Sequence, residues 1–248
     1  MKHARYMQNG RVHYGTVSEE GVLLDEKGAA VSEQVVTWLP PIEPRNVVGL
    51  ALNYADHADE LKLEIPKEPV LFLKAPNTFI GHRQAVVAPT GIEYMHYEVE
   101  LAVIIGRAGR NIDRRNAMEY VSGYTIANDV TIRDFVGNMY RPPIRAKGFD
   151  TFGPMGPWWV DRDDIPDVSN VGLRTYVNGE LRQEGNTRDL IFDIPYLIEF
   201  ISSFMTLQPN DMIWTGTPKG VSHVYPGDIM RLTIDHIGSL ENPIVTES

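Results

Sequence analysis

Apolar and polar positions alternate with the two-residue period of β-strands along much of the chain. RVHYGTV and GVLLD, broken by Gly21 and Gly28, predict a small β-meander over residues 1–44 that ends in the stiff run Pro40, Pro41 and Pro44. NVVGLALNY predicts a buried strand, PVLFLKAP and MHYEVELAVIIG two more, and NAMEYVSGYTIANDVTIRDF a short helix followed by a strand. LRTYVNGELRQ predicts a hairpin turning at Asn178-Gly179. Helical spacing is confined to ADHADELKL, which must stop before Pro66, and to DIPYLIEFISSFMTL, where Pro195 suits a first turn. From Arg133 to Pro157 the pattern lapses into a Pro- and Gly-rich stretch, the signature of a functional loop. DMIWTGTPKGV and GDIMRLTIDHIGSLENPIV close the chain as strands and turns. Strands outnumber helices, with no βαβ alternation and no repeat. The expectation is an α+β protein, mostly β, built on a β-sandwich or roll, with the meander ahead of a main domain over 45–248.

One strand departs from this pattern. In MHYEVELAVIIG, side chains two apart share a face, so Glu98 and Glu100 stand together while Tyr97, Val99, Leu101, Val103 and Ile105 take the other side. Burying an unpaired carboxylate costs several kcal/mol, and a like-charged neighbour adds to it. Water, basic partners or a cation must offset that. Asp129, in the apolar setting GYTIANDVTIRD, is a third acid able to join them. Three carboxylates without cysteine or paired histidine describe an all-oxygen site, which favours Mg²⁺ or Mn²⁺ over zinc. Spacing alone equally accommodates a solvated sheet face with Asp129 opening a turn. His96 shares the glutamate face and reads as a hydrogen-bonded wall residue rather than a ligand.

Other candidates carry chemistry of their own. His57 and Glu60, three apart on the predicted helix, form an HxxE pair in which the carboxylate orients the imidazole and raises its basicity, as a general acid/base requires. The same spacing fits the wet side of a surface helix. TGTPKG, residues 215–220, lacks the GxxxxGK[ST] of a phosphate loop, yet its backbone donors beside Lys219 suit a carboxylate. A tight turn is the plainer alternative. Lys147, after RPPIRAK begins, offers a cation for an anion or simply for solvent.

Composition narrows the field. The 248 residues contain no cysteine, which excludes disulfides, thiolate zinc and a cysteine nucleophile. With 33 acids against 23 Lys and Arg, the net charge of −10 argues against a nucleic-acid partner but leaves room for a small anion at a metal-bearing cleft. The opening MKHARYMQNGRVHYG lacks the apolar core of a signal peptide, and no apolar run approaches the roughly 20 residues of a membrane span. The expectation is a cytoplasmic protein without a membrane partner.

Taken in order, VVGLALNYADHADE, FLKAPNTFIG, YEVELAVIIGR, GYTIANDVTIRD, RAKGFDTFGPMGP and DMIWTGTPKGV resemble the fumarylacetoacetate hydrolase family over residues 45–245. The resemblance implies that family's mixed β-sandwich roll, a divalent metal and a homodimer, with a heteromer of paralogous subunits as the alternative. DFVGNMYRPPIRAKGFD and TYVNGELRQEGNTRDLIFDIPYLIEFISSFMTLQPNDMIWTGTPKG are most similar to the C-terminal subunit, or half, of the isomerase/decarboxylases of 4-hydroxyphenylacetate degradation. It implies decarboxylation, enol–keto isomerisation or both, on a 2-oxo or 2-hydroxydienoic di- or tricarboxylic acid. Acylpyruvate or fumarylpyruvate hydrolysis, oxaloacetate decarboxylation and an inactive partner subunit are the alternatives. By motif, the resemblance gives Glu98, Glu100 and Asp129 as metal ligands, His57 and Glu60 as an acid/base dyad on a lid, and Lys147 as the lysine near the metal. It gives Thr217 as a contact to the substrate carboxylate, and Arg141 as a holder of a distal carboxylate. Acylpyruvase-like relatives carry glutamine seven residues after the metal aspartate, where this chain has Val136.

Overall fold

A computed structural model describes residues 1–137 and 142–247. Its organising element is the strand Val99–Ile105, every residue of which is buried. It pairs antiparallel with Val121–Asn128 on one side and Met212–Trp214 on the other. From there the sheet extends through Gly153–Asp161 to the meander strands Lys2–Gln8, Arg11–Val17 and Leu23–Asp25. In the other direction it runs through Val47–Ala51 to the edge strand Val70–Leu73. The Met212–Trp214 and Val47–Ala51 strands pair in parallel, so the sheet is mixed as well as large.

A second sheet stacks the hairpin strands Glu180–Asn186 and Gly172–Val177 against Ile229–Ile234, Gly238–Thr246 and Val86–Ala88. The predicted turn is present, with Asn178 and Gly179 both at positive φ (51° and 84°), the left-handed pair that matches strand twist in a two-residue hairpin. The main core lies between the sheets. Val99, Leu101, Val103 and Ile105 meet Leu173, Leu232, Ile234 and Leu240 there. The glutamate side of the same strand sends Ala102 and Ile104 into a smaller cluster with Val47, Met155, Met212 and Trp214. Both faces are therefore packed, and an acid on this strand has no bulk water beside it.

The helix Ile194–Phe204 follows its sequence pattern. Asp193 caps it by accepting the Tyr196 N–H at 2.9 Å, and Ile194, Leu197, Ile198 and Ile201 face the core. The helix predicted over ADHADELKL is shorter, Ala55–Glu60. The Leu61 N–H closes on the His57 carbonyl and Lys62 turns to φ 56°, which ends the helix before the second apolar pair can extend it. The helix expected in NAMEYV is a 3₁₀ run, Arg114–Tyr120, opened by an Asp113 cap. The stretch expected to be irregular holds the four-residue helix Ile144–Lys147 and the strand Gly153–Asp161. Order there follows from its aromatic residues: the Trp158 indole N–H donates to the Ile237 carbonyl at 2.7 Å, and Trp159 stacks on His3 with centroids 4.0 Å apart.

A histidine buttresses the junction of the two sheets. His82 Nδ1 accepts the Glu241 N–H at 3.0 Å while its ring meets Trp38 edge-on. Burial, aided by Arg83, pulls its pKa down from 6.5 to about 4. Between those values the unfolded chain binds more protons than the folded one, so this contribution is complete above about pH 6.5 and disappears as pH falls through 4. It amounts to about 3 kcal/mol. Urea unfolding followed from pH 7 to pH 4 is expected to show that loss, and His82→Gln, which keeps an acceptor but cannot protonate, is expected to flatten it.

Candidate active site

Strand pairing assembles the acids. Glu100 lies opposite Ala127, and one step further the Asp129 N–H donates to the Glu98 carbonyl at 3.0 Å, so Asp129 faces the same side as both glutamates. One carboxylate oxygen from each of the three lies within 4.8 Å of the others. All are buried: Glu98 is 6% exposed, Glu100 and Asp129 0%. The solvated-face alternative is thereby excluded.

Two lysines offset this charge. Lys147, on the short helix Ile144–Lys147, donates to Glu98 Oε2 (2.9 Å), Asp129 Oδ2 (2.5 Å) and Thr131 Oγ1 (2.8 Å). Lys74, fully buried at the end of the LFLK run, donates to Asp129 Oδ1 at 2.6 Å. Burial alone raises the pKa of Glu98, but Lys147, with smaller contributions from His96 and His57, brings it down to about 2. For Lys147 burial favours the neutral amine, and Asp129 and Glu98 overcome it, leaving the ammonium held well above its ordinary value. Lys74 moves the other way, because its burial outweighs Asp129 and Lys147 repels it.

Glu100 is the exception. Its Oε2 accepts the Gly216 N–H at 2.9 Å, while Oε1 is buried and has no hydrogen-bond partner among the described residues. Gly216 directs that N–H from φ 90°, and a Cβ there would lie 2.9 Å from Asn53. Burial, followed by the charges of Asp129 and Glu98, pushes the Glu100 carboxyl well above its usual range. The two lysines bond Asp129 and Glu98 but not Glu100, so the ionised form of Glu100 is uncompensated, and its Oε1 has no hydrogen-bond partner among the described residues. A divalent cation supplies what is missing, and an all-oxygen donor set suits a hard one. The residues fit the ion.

His57 and Glu60 sit beside this centre. His57 is buried and its Nδ1 lies 3.1 Å from Glu60 Oε2, which fixes the proton on Nδ1 and leaves Nε2 as the basic atom. Glu60 Oε1 accepts the Gly220 N–H at 3.0 Å, fastening the short helix to the TGTPKG loop. Thr217 in that loop is buried, with its Oγ1 accepting from Gln183 Nε2 at 2.9 Å. Lys219 is exposed. Arg141 lies outside the described residues. Val136 is 39% exposed.

Sequence reasoning passed over two basic residues. Lys74 was legible as a charge closing a mostly apolar strand, VLFLK. Arg133, four residues after Asp129, has a buried Nη2 without a partner among the described residues and helps to lower the pKa of His96. His96 itself is neutral. Burial takes it to about 4, its Nδ1 faces the Tyr97 carbonyl at 3.2 Å, and its Nε2 has no partner among the described residues.

A mixed β-roll that buries Glu-x-Glu and a facing aspartate within reach of one another has the donor set of a metal-binding carboxylate site. Residues 46–245 match the family model described as fumarylacetoacetate (FAA) hydrolase C-terminal, and the chain belongs to that family. It is 56% identical over 214 residues to the 4-hydroxyphenylacetate degradation bifunctional isomerase/decarboxylase of Salmonella dublin, covering 86% of this chain and 50% of that protein. The chain thus spans about half the length of these curated relatives. A solved 5-carboxymethyl-2-hydroxymuconate delta-isomerase from Mycobacterium smegmatis superposes over all of both chains, with TM-score 0.89 and 38% identity. The fumarylacetoacetate hydrolase of Exiguobacterium antarcticum does so with TM-score 0.88 and 33% identity.

Two substitutions test the electrostatics without an activity assay. Lys74→Met leaves Asp129 short of a buried partner and is expected to destabilise the metal-free protein by about 3–5 kcal/mol in urea titrations. Glu100→Gln removes the carboxyl whose ionisation burial and the neighbouring acids disfavour. Thermal unfolding is expected to show a higher Tm without metal and loss of the Tm gain on adding Mg²⁺.

Proposed function

We propose that this chain is a Mg²⁺- or Mn²⁺-dependent enzyme acting on 2-oxo or 2-hydroxydienoic di- or tricarboxylic acids in aromatic catabolism. The reactions are decarboxylation of 5-oxopent-3-ene-1,2,5-tricarboxylate, enol–keto isomerisation of 2-hydroxyhepta-2,4-diene-1,7-dioate, or both. The reading is carried by the buried triad Glu98, Glu100 and Asp129, with its orphaned oxygen, next to a histidine–glutamate pair. It is supported by the likeness to proteins named as isomerases and decarboxylases.

The three carboxylates would hold the ion, which when bound supplies Lewis acidity for negative charge developing on the substrate's C2 oxygen. Lys147 adds a fixed positive charge on the same side of the site. Loss of CO₂ from the tricarboxylate sends the electrons of the breaking C–C bond through the conjugated alkene toward the ketone, giving a dienol. His57 Nε2 then carries a proton between that enol and the chain carbon, while Glu60 holds Nδ1–H and stabilises the imidazolium. Thr217 and the neighbouring loop hold the C1 carboxylate, and the Ala55–Glu60 helix, fastened at Gly220, keeps water out. One proton carrier beside one stabilised oxygen serves both reactions.

C–C hydrolysis of acylpyruvates is the second reading, supported by the likeness to the Exiguobacterium hydrolase. Val136, apolar where acylpyruvase-like relatives carry glutamine, weighs against it. The protein is proposed to work in the cytoplasm as a homodimer.

A panel of 2-oxo acids, assayed with Mg²⁺ and after exhaustive chelation, tests the reading. Turnover of the tricarboxylate or hydroxydienoate is expected only with metal, and full turnover after chelation would refute it. Glu98→Ala/Glu100→Ala is expected to abolish both reactions, whereas His57→Ala is expected to slow proton transfer by about 10²–10⁴-fold.

A further inference from the structure

The strand Glu180–Asn186 lies at the edge of the second sheet, and Gln183 is its one buried residue. A bulge after the Thr175–Gln183 pair, where Tyr176 next pairs with Leu181, turns this side chain inward. Its amide is fully used. Oε1 accepts the Thr175 hydroxyl at 2.9 Å and the Val99 N–H at 3.3 Å, and Nε2 donates to Thr217 Oγ1 at 2.9 Å and the Pro218 carbonyl at 2.8 Å. Val99 is the residue between the two site glutamates, so one amide ties the acid-bearing strand to the TGTPKG loop.

The amide has only one orientation. A flip would set its NH₂ against the Val99 N–H and its oxygen against the Pro218 carbonyl, so Nε2 must be the atom donating to Thr217. That occupies a lone pair of the Thr217 oxygen and leaves its proton uncommitted. Among the described residues no acceptor takes it. We infer that Gln183 is a positioning residue that makes the Thr217 hydroxyl a one-way hydrogen-bond donor toward the carboxylate of the bound substrate. The inference rests on the proposed role of Thr217. It goes further by explaining why that hydroxyl selects an anion: the Gln183 N–H already engages its oxygen and turns its proton toward the substrate.

The test uses the Mg²⁺-loaded protein with oxalate, a small dicarboxylate, titrated calorimetrically, together with KM and kcat on the substrate found in the panel. Gln183→Glu keeps the two acceptor contacts but presents a carboxylate to Thr217, which reverses the hydroxyl. Gln183→Met loses all four contacts but leaves the hydroxyl free to rotate. A purely structural role predicts that the Met variant is worse in every respect. The expected result is a split. The Met variant has the lower Tm, yet the Glu variant binds oxalate more weakly, by about tenfold against wild type, as for one lost charge-assisted hydrogen bond, with KM raised and kcat largely kept. Thr217→Val is expected to weaken oxalate similarly, and the Gln183→Glu/Thr217→Val double variant to lose nothing more. Additive losses, or a Met variant weaker than the Glu variant for oxalate, would overturn the inference alone. If Gln183→Glu fails to fold, the Met variant enters the cycle, where any loss persisting without the Thr217 hydroxyl overturns it. Unchanged oxalate binding in Thr217→Val would overturn the carboxylate role of Thr217 itself and the inference with it.

Discussion

Three carboxylates removed from water within a few ångströms of one another are the arrangement that the neighbouring elements serve. Isolated, each would take up a proton rather than remain charged. Lys74 and Lys147 arrive from different parts of the chain, Gly216 adopts a left-handed conformation to present an N–H, and the strand pairing sets Asp129 opposite Glu98. The large apolar side chains behind Val99–Ile105 hold the strand so firmly that the acids cannot turn toward solvent. Charge compensation is left incomplete at Glu100 alone, and that local deficit favours a cation.

The site is also a junction. Its acids belong to the large mixed sheet, Thr217 to the loop after Met212–Trp214, and Gln183 to the second sheet. His57 comes from a short helix that docks on that loop. Function therefore depends on the two sheets keeping their spacing, and the buried bonds of Gln183 and the indole of Trp158 cross between them.

The sequence displays the parts of this assembly whose physics is local. Period-two spacing found the strand of Glu98 and Glu100, Asn178-Gly179 announced the hairpin, and Pro195 announced the helix start. Whether the glutamates faced water was beyond local pattern, because it depends on Met155, Met212 and Trp214 covering that side from distant segments. Lys74 was passed over for the same reason: a lysine closing a strand looks like a solvent-facing end until Asp129, 55 residues later, is set beside it. The shorter Ala55–Glu60 helix reflects a backbone turn at Lys62 that no glycine or proline marks. The ordered motifs that resemble the family supplied the long-range arrangement that spacing could not.

Glu60 divides its carboxylate, one oxygen on His57 and the other on the Gly220 N–H. Undocking the helix from the loop thus frees the very group that sets the tautomer of the imidazole. In the proposed mechanism, the proton-carrying competence of His57 and the enclosure of its surroundings therefore rise and fall together. On that mechanism, a solvent-open form would also be one whose base is poorly oriented, a safeguard against protonating a reactive enol before the chamber is shut.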